Sequence, residues 1–98
     1  MAGMVAYASS KGAVDSFTLG LAKEAGPEGI RVNCLRPGTT QTDIIAPLGG
    51  EEFGKRVAAA TPLGRIGQPD EIAEAVIWLL SDKASFTHGA LLDVSGGR

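Results

Sequence analysis

The chain has 98 residues, 44% hydrophobic and 20% charged, with a formal net charge of -2. That length allows one domain, spanning residues 1–98, and the composition is that of a folded chain rather than a disordered one. Acids and bases are interspersed, so no basic run points to nucleic acid, and no apolar stretch approaches the ~20 residues that span a bilayer.

Aromatic residues make up only 5% of the chain, so the core is expected to be aliphatic. Cys34 is the only cysteine, which leaves no internal disulfide and no Cys-based zinc site. It lies in an apolar run and reads as a buried structural thiol. Met1 is not followed by a charged-then-apolar leader, and a cytoplasmic setting is the expectation.

The first element reads as a helix over about Val5 to Ala25. Ala6, Ala13, Val14, Phe17, Leu21 and Ala25 recur at helical spacing and predict its buried face. Gly26-Pro27 stops it. Ile30 to Leu35 is short and ends at Pro37-Gly38, the pattern of a half-buried strand. Thr39, Thr40 and Thr42 with Asp43 suggest a polar loop in which Asp43 caps a short turn. Glu51 to Ala60 is compatible with a helix, and Thr61 to Gly67 reads as a loop.

Pro69-Asp70-Glu71 then opens a strong helix, with proline in the first turn and two acids at the positive dipole end. Ile72, Ala75, Val76, Leu79 and Leu80 form its apolar stripe. Ala90 to Val94 reads as a second strand, closed by Ser95-Gly96-Gly97. A strand, a helix and another strand suggest a right-handed crossover and parallel pairing.

Tyr7 and Lys11 are four residues apart, so a helix places both on one face. A free tyrosine hydroxyl ionises near pH ~10. A neighbouring ammonium favours the phenolate, which makes the hydroxyl a better proton donor and acceptor near neutrality. Carbonyl reduction requires that chemistry: hydride arrives at carbon while an acid protonates oxygen. By itself the spacing is weak evidence, and a surface helix carrying a lysine is its plainer reading.

The neighbouring motifs decide between these readings. Ala-Tyr-Ala-Ser-Ser-Lys-Gly-Ala-Val around Tyr7 resembles the active-site helix of the short-chain dehydrogenase/reductase family. Ile-Arg-Val-Asn-Cys-Leu-Arg-Pro-Gly, from Ile30 to Gly38, resembles the strand and turn that follow it. Pro62-Leu63-Gly64-Arg65 through Pro69-Asp70-Glu71-Ile72-Ala73, and the ending from Ser85 to Gly97, resemble the family's later segments. The resemblance runs the length of the chain and covers the family's C-terminal half.

The resemblance implies an α/β fold: a partial Rossmann-like three-layer arrangement of about two parallel strands and three to four helices. It makes Tyr7 the general acid/base. Lys11 would lower the tyrosine's pKa and bind the nicotinamide ribose of NAD or NADP. Pro37 and Gly38 would pack beside the nicotinamide, the backbone near Thr40 would face its carboxamide, and Thr42 would reach the pyrophosphate. The implied substrate is a small molecule carrying a carbonyl or an alcohol.

The family's glycine-rich phosphate loop, catalytic serine and relay asparagine precede the segment matched here. Gly49-Gly50 and Gly96-Gly97 lack the loop's spacing and context. Ser9, Ser10 and Asn33 do not align with the missing residues. Cofactor binding by this chain alone is therefore expected to be weak.

A strand without its neighbours exposes an edge, and a lone two-stranded sheet is marginal in water. The chain is accordingly expected to be completed by self-association as a homo-oligomer, or by a complementing N-terminal half. Phe86-Thr87-His88-Gly89 and Ser95 depart from the family pattern, and His88 reads as an exposed loop residue. Two other functions stay open. One is a cofactor-independent hydrolase using Tyr7 and Lys11, although no Gly-x-Ser-x-Gly elbow supports it. The other is a non-catalytic oligomeric module.

Overall fold

In the structure, a computed structural model, residues 4–41 and 50–97 are described. Helix α1 spans Val5–Ala25, the limits its apolar spacing predicts. Its end is set by a 3-10 turn over Gly26–Glu28 and by Gly29, whose φ of 78° a residue with a side chain rarely adopts. Strand β1 is Cys34–Pro37, α2 is Gly50–Ala60, α3 is Pro69–Leu80 and β2 is Leu91–Val94. A 3-10 turn over Asp82–Ala84 follows α3. Among the described residues, two parallel strands and three α-helices match the α/β class expected.

β1 and β2 pair in parallel, with Cys34 opposite Leu91 and Pro37 opposite Val94. The first strand starts four residues later than its β-branched run suggests. Side chains take the place of the ladder there. Asn33 donates from Nδ2 to the Thr87 carbonyl at 3.0 Å and accepts the Ala90 N–H at 3.0 Å. The Gly89 N–H meets the Val32 carbonyl at 2.8 Å. Within the strand, the Cys34 N–H donates to Ala90 at 2.8 Å, and the Gly38 N–H donates to Val94 at 3.0 Å. Even positions therefore face β2 and odd ones face the open side, where Pro37 has no N–H to offer.

The helices bury narrower faces than expected. α1 buries Thr18, Ala22 and Ala25, while Val14 and Phe17 from the predicted apolar face stand in solvent, Phe17 at 67% exposure. Of that face only Ala25 is buried and Leu21 half-buried. Likewise α3 packs through Ile72, Ala75 and Leu79, whereas Val76 and Leu80 are exposed. The missing ingredient is a second layer. Two short strands cover only one narrow strip of each helix.

The bulk dimensions agree. The Cα radius of gyration is 15.6 Å, against roughly 13 Å for a compact domain of this length. The accessible surface is 7038 Å², against about 5,200 Å² for a compact monomer of 10 kDa.

Three sets of polar ties fix the segments around the sheet. Arg31 donates to the carbonyls of Leu79 at 2.7 Å, Ser81 at 3.2 Å and Thr87 at 3.1 Å, closing the C-terminus of α3. His88 remains an exposed loop residue, as expected, yet both ring nitrogens are engaged. Nδ1 accepts the Val32 N–H at 3.2 Å, so the ring proton sits on Nε2 and is donated to the Ala22 carbonyl at 2.6 Å. The ring reaches α1 because position 26 is glycine: a Cβ there would lie 3.0 Å from Nε2. At the start of α3, Glu71 accepts the Gln68 N–H at 3.0 Å and binds Arg65 through both oxygens at 2.6 and 2.7 Å.

Candidate active site

Tyr7 and Lys11 lie in the first turns of α1, where the helix has no side-chain cap. Both are exposed, Tyr7 at 54%. The helix brings the Lys11 ammonium over the tyrosine ring, with Nζ 5.4 Å from the ring centroid. That is cation–π range, and it places a positive charge beside the phenol. Ser10 is occupied elsewhere, its hydroxyl donating to the Tyr7 carbonyl at 2.8 Å. Cys34, read from sequence as a buried thiol, is only half-buried, because α1 crosses β1 with a polar residue facing it. Its Sγ lies 4.0 Å from Asp15 Oδ1.

Pro37, Gly38 and Thr40 form a second group at the end of β1. Gly38 comes so close to the second strand that a Cβ would sit 2.8 Å from the Ser95 Cα and Cβ, which accounts for a glycine there. The Thr40 hydroxyl turns back to the Gly38 carbonyl at 3.1 Å. Thr40 also bridges to Gly67 in parallel: Gly67 donates to the Thr39 carbonyl at 3.0 Å and accepts from the Gln41 N–H at 2.8 Å. In that geometry the N–H and C=O of Thr40 itself point away from Gly67. Thr42 and Asp43, proposed from sequence for the pyrophosphate and for a cap, lie outside the described residues.

The structure thus joins Tyr7 to Lys11 and gathers Pro37, Gly38 and Thr40. Among the described residues no hydrogen bond or ion pair links the two groups directly. The link runs through residues the sequence reading did not single out. Asp15, one turn beyond Lys11, meets Arg36 at 3.2 Å. Arg36, immediately before Pro37, binds Asp93 on β2 through Nε at 2.7 Å and Nη2 at 2.9 Å. The hydrogen bond to Asp93 and its charge, with Asp15 behind, push the arginine pKa further up, and the same contact lowers that of Asp93. The signal was present as the i, i+4, i+8 run of Tyr7, Lys11 and Asp15, but nothing in it named the partner on β1.

A cleft of about 640 Å³ opens beside this end of the sheet, bordered by Thr39, Leu63, Arg65, Glu71, Ser95 and Gly96. Among the described residues no group of three metal-ligating side chains occurs, and no helix is long and apolar enough to cross a membrane.

The whole chain, residues 1–98, matches the family described as enoyl-(acyl carrier protein) reductase. It is 48% identical over 94 residues to the uncharacterized oxidoreductase YgfF of Escherichia coli K12, covering 96% of this chain and 38% of that protein. Among solved structures, a short chain dehydrogenase family protein from Francisella tularensis is 42% identical. It aligns with a TM-score of 0.89 over 95% of this chain and 43% of its own. A 3-oxoacyl-[acyl-carrier protein] reductase from Brucella melitensis with bound NAD is 41% identical. Its TM-score is 0.82, over 93% of this chain and 32% of its own. The chain therefore spans little more than a third of the curated relative's length. Nothing in these comparisons supports the hydrolase alternative.

Proposed function

This chain belongs to the short-chain dehydrogenase/reductase family, and we propose on that premise that it supplies the proton-transfer half of an NAD(P)-dependent oxidoreductase site. The observation that carries this reading is the Lys11 ammonium held over the Tyr7 ring on one helix face. The substrate class is a small carbonyl compound or the corresponding alcohol. In the reducing direction the Tyr7 hydroxyl gives its proton to the carbonyl oxygen, and in the oxidising direction the phenolate takes the alcohol's proton. Lys11 holds its ammonium over the ring, 5.4 Å from the centroid.

The residues present fit the nicotinamide end of such a cofactor. Pro37 and Gly38 end a strand with no side chain at 38, and Thr40 keeps its own peptide groups clear of the bridge to Gly67. Lys11, Pro37, Gly38, Thr40 and Thr42 are the residues proposed to hold it. When bound, NAD or NADP supplies or accepts the hydride. No pyrophosphate cradle of the strand–glycine loop–helix kind occurs among the described residues, so the chain alone binds weakly and needs a companion.

That companion is a second copy or a complementing N-terminal half. The surface in excess of a compact monomer, with Val14, Phe17, Ile77 and Trp78 exposed, supports it. Sedimentation at micromolar concentration should show a dimer or larger species; a monomer would count against self-association.

The catalytic reading is tested by following nicotinamide absorbance with a panel of small ketones, using the chain in whatever assembly it forms. Tyr7→Phe should lower turnover by about 10²-fold or more. Turnover unchanged in Tyr7→Phe would remove the reading.

A further inference from the structure

Asp15 poses a problem for the pair beside it. Side chains on a helix lean toward its N-terminus, so Lys11 leans toward Tyr7, and Asp15 leans toward Lys11. A lysine and an aspartate four apart attract one another on an open helix surface. Left alone, Asp15 would compete with the tyrosine ring for the ammonium. In the structure no ion pair joins Lys11 to Asp15. The carboxylate is instead 3.2 Å from Arg36, and the Lys11 ammonium stands over Tyr7.

Arg36 is itself fixed. Its Nε and Nη2 are bound to both oxygens of Asp93, which leaves Nη1 directed at Asp15. The charged and titratable groups facing Asp15 are thus Lys11 from its own helix and Cys34 and Arg36 from β1, with Asp93 of β2 behind Arg36.

We propose that Arg36 is a positioning residue for the Tyr7–Lys11 pair: by holding Asp15 against the strand, it keeps the nearest competing anion from drawing Lys11 off the tyrosine. Arg36 touches neither Tyr7 nor Lys11 and acts through Asp15. A single residue thereby connects the state of the catalytic helix to the strand end carrying Pro37 and Gly38. The inference rests on the functional reading above for its significance, but its test does not depend on turnover.

Tyr7 is the only tyrosine, so its ring protons and the ring-current shift on the Lys11 side chain can be read individually by NMR. In the wild-type chain the Lys11 methylene resonances next to Nζ should be displaced upfield and show cross-peaks to the Tyr7 ring. Arg36→Met should lose both. Asp15→Asn should keep both, since the competitor is gone, and Asp15→Asn with Arg36→Met should restore them. Arg36→Lys, with a single-headed cation, should give an intermediate displacement. High salt should bring Arg36→Met back toward wild type, because a surface Lys11–Asp15 attraction is screened.

An unchanged signal in Arg36→Met, or loss of the signal in Asp15→Asn, would overturn the proposal. Failure of the double variant to recover would do the same, pointing to a scaffold role. Should Arg36→Met not fold by circular dichroism, Asp15→Asn and Arg36→Lys decide alone. A chain that lacks dehydrogenase turnover but shows this pattern would sink the functional reading and leave the positioning role standing.

Discussion

The first turns of α1 and the paired ends of β1 and β2 each carry half of the candidate site, and they are held in opposite ways. The helix start has no side-chain cap, exposes Tyr7 and Lys11, and offers few apolar contacts. Along the sheet, Arg31, Asn33 and His88 tie the strand starts to α1 and α3, and the Arg36–Asp93 pair joins the strands nearer their far end. Groups proposed to react must be open to substrate, so little folding free energy can be stored in them. Polar ties concentrate instead along the paired strands. Arg36 carries the ion pair from this frame to α1 at Asp15, one turn from the pair.

This contrast can be broken most forcefully at Arg31. Arg31→Met removes a charged donor from three carbonyls and should lower stability by about 2–3 kcal/mol in urea unfolding. A change below about 1 kcal/mol would mean that water replaces the guanidinium easily and that the frame is softer than described. Next in size, Gly38→Ala places a methyl group against the Ser95 backbone, which cannot rotate away. A loss of about 1–3 kcal/mol is expected, and an unchanged unfolding midpoint would show that the strand ends separate without cost.

A pH experiment probes the α3 start. The hydrogen bonds from Arg65, then from the Gln68 N–H, lower the Glu71 pKa from 4.5 to about 2. A carboxylate depressed on folding stabilises the chain above its unfolded pKa and loses that contribution as pH falls through the folded one. The stability gap between wild type and Glu71→Gln should therefore be constant above about pH 5 and close between 4.5 and about 2. A gap that persisted undiminished to the acid end would contradict the pairing. The smallest effect belongs to Tyr7 and Lys11. Tyr7→Phe and Lys11→Met should move unfolding by less than about 0.5 kcal/mol. A larger loss would place the helix start within the frame rather than apart from it.

Local periodicity made much of this legible. Helix α1 was readable to the residue because apolar spacing ran uninterrupted to Gly26-Pro27, and α3 was marked by Pro69 and two acids. Strand β1 starts four residues later than its β-branched run suggests because Asn33 and His88 supply by side chain what a ladder would supply by backbone. The buried faces were misjudged for a different reason. Periodicity reports the face a helix was selected to cover, and here Thr18 and Ala22 are covered while Phe17 is not. The pair Tyr7 and Lys11 was evident from spacing and resemblance. Arg36 was not, since its partners lie 21 and 57 residues away in sequence.

Pro37 has a consequence for how chains of this kind meet. A strand arriving at the open side of β1 would find carbonyls and the Leu35 N–H, and then a ring where the next donor should be. Templated sheet growth, the route toward fibrils, stalls at that register. Copies brought together at high concentration should therefore leave the β1 edge unpaired, and hydrogen exchange at the Leu35 amide should stay as fast as in the dilute chain.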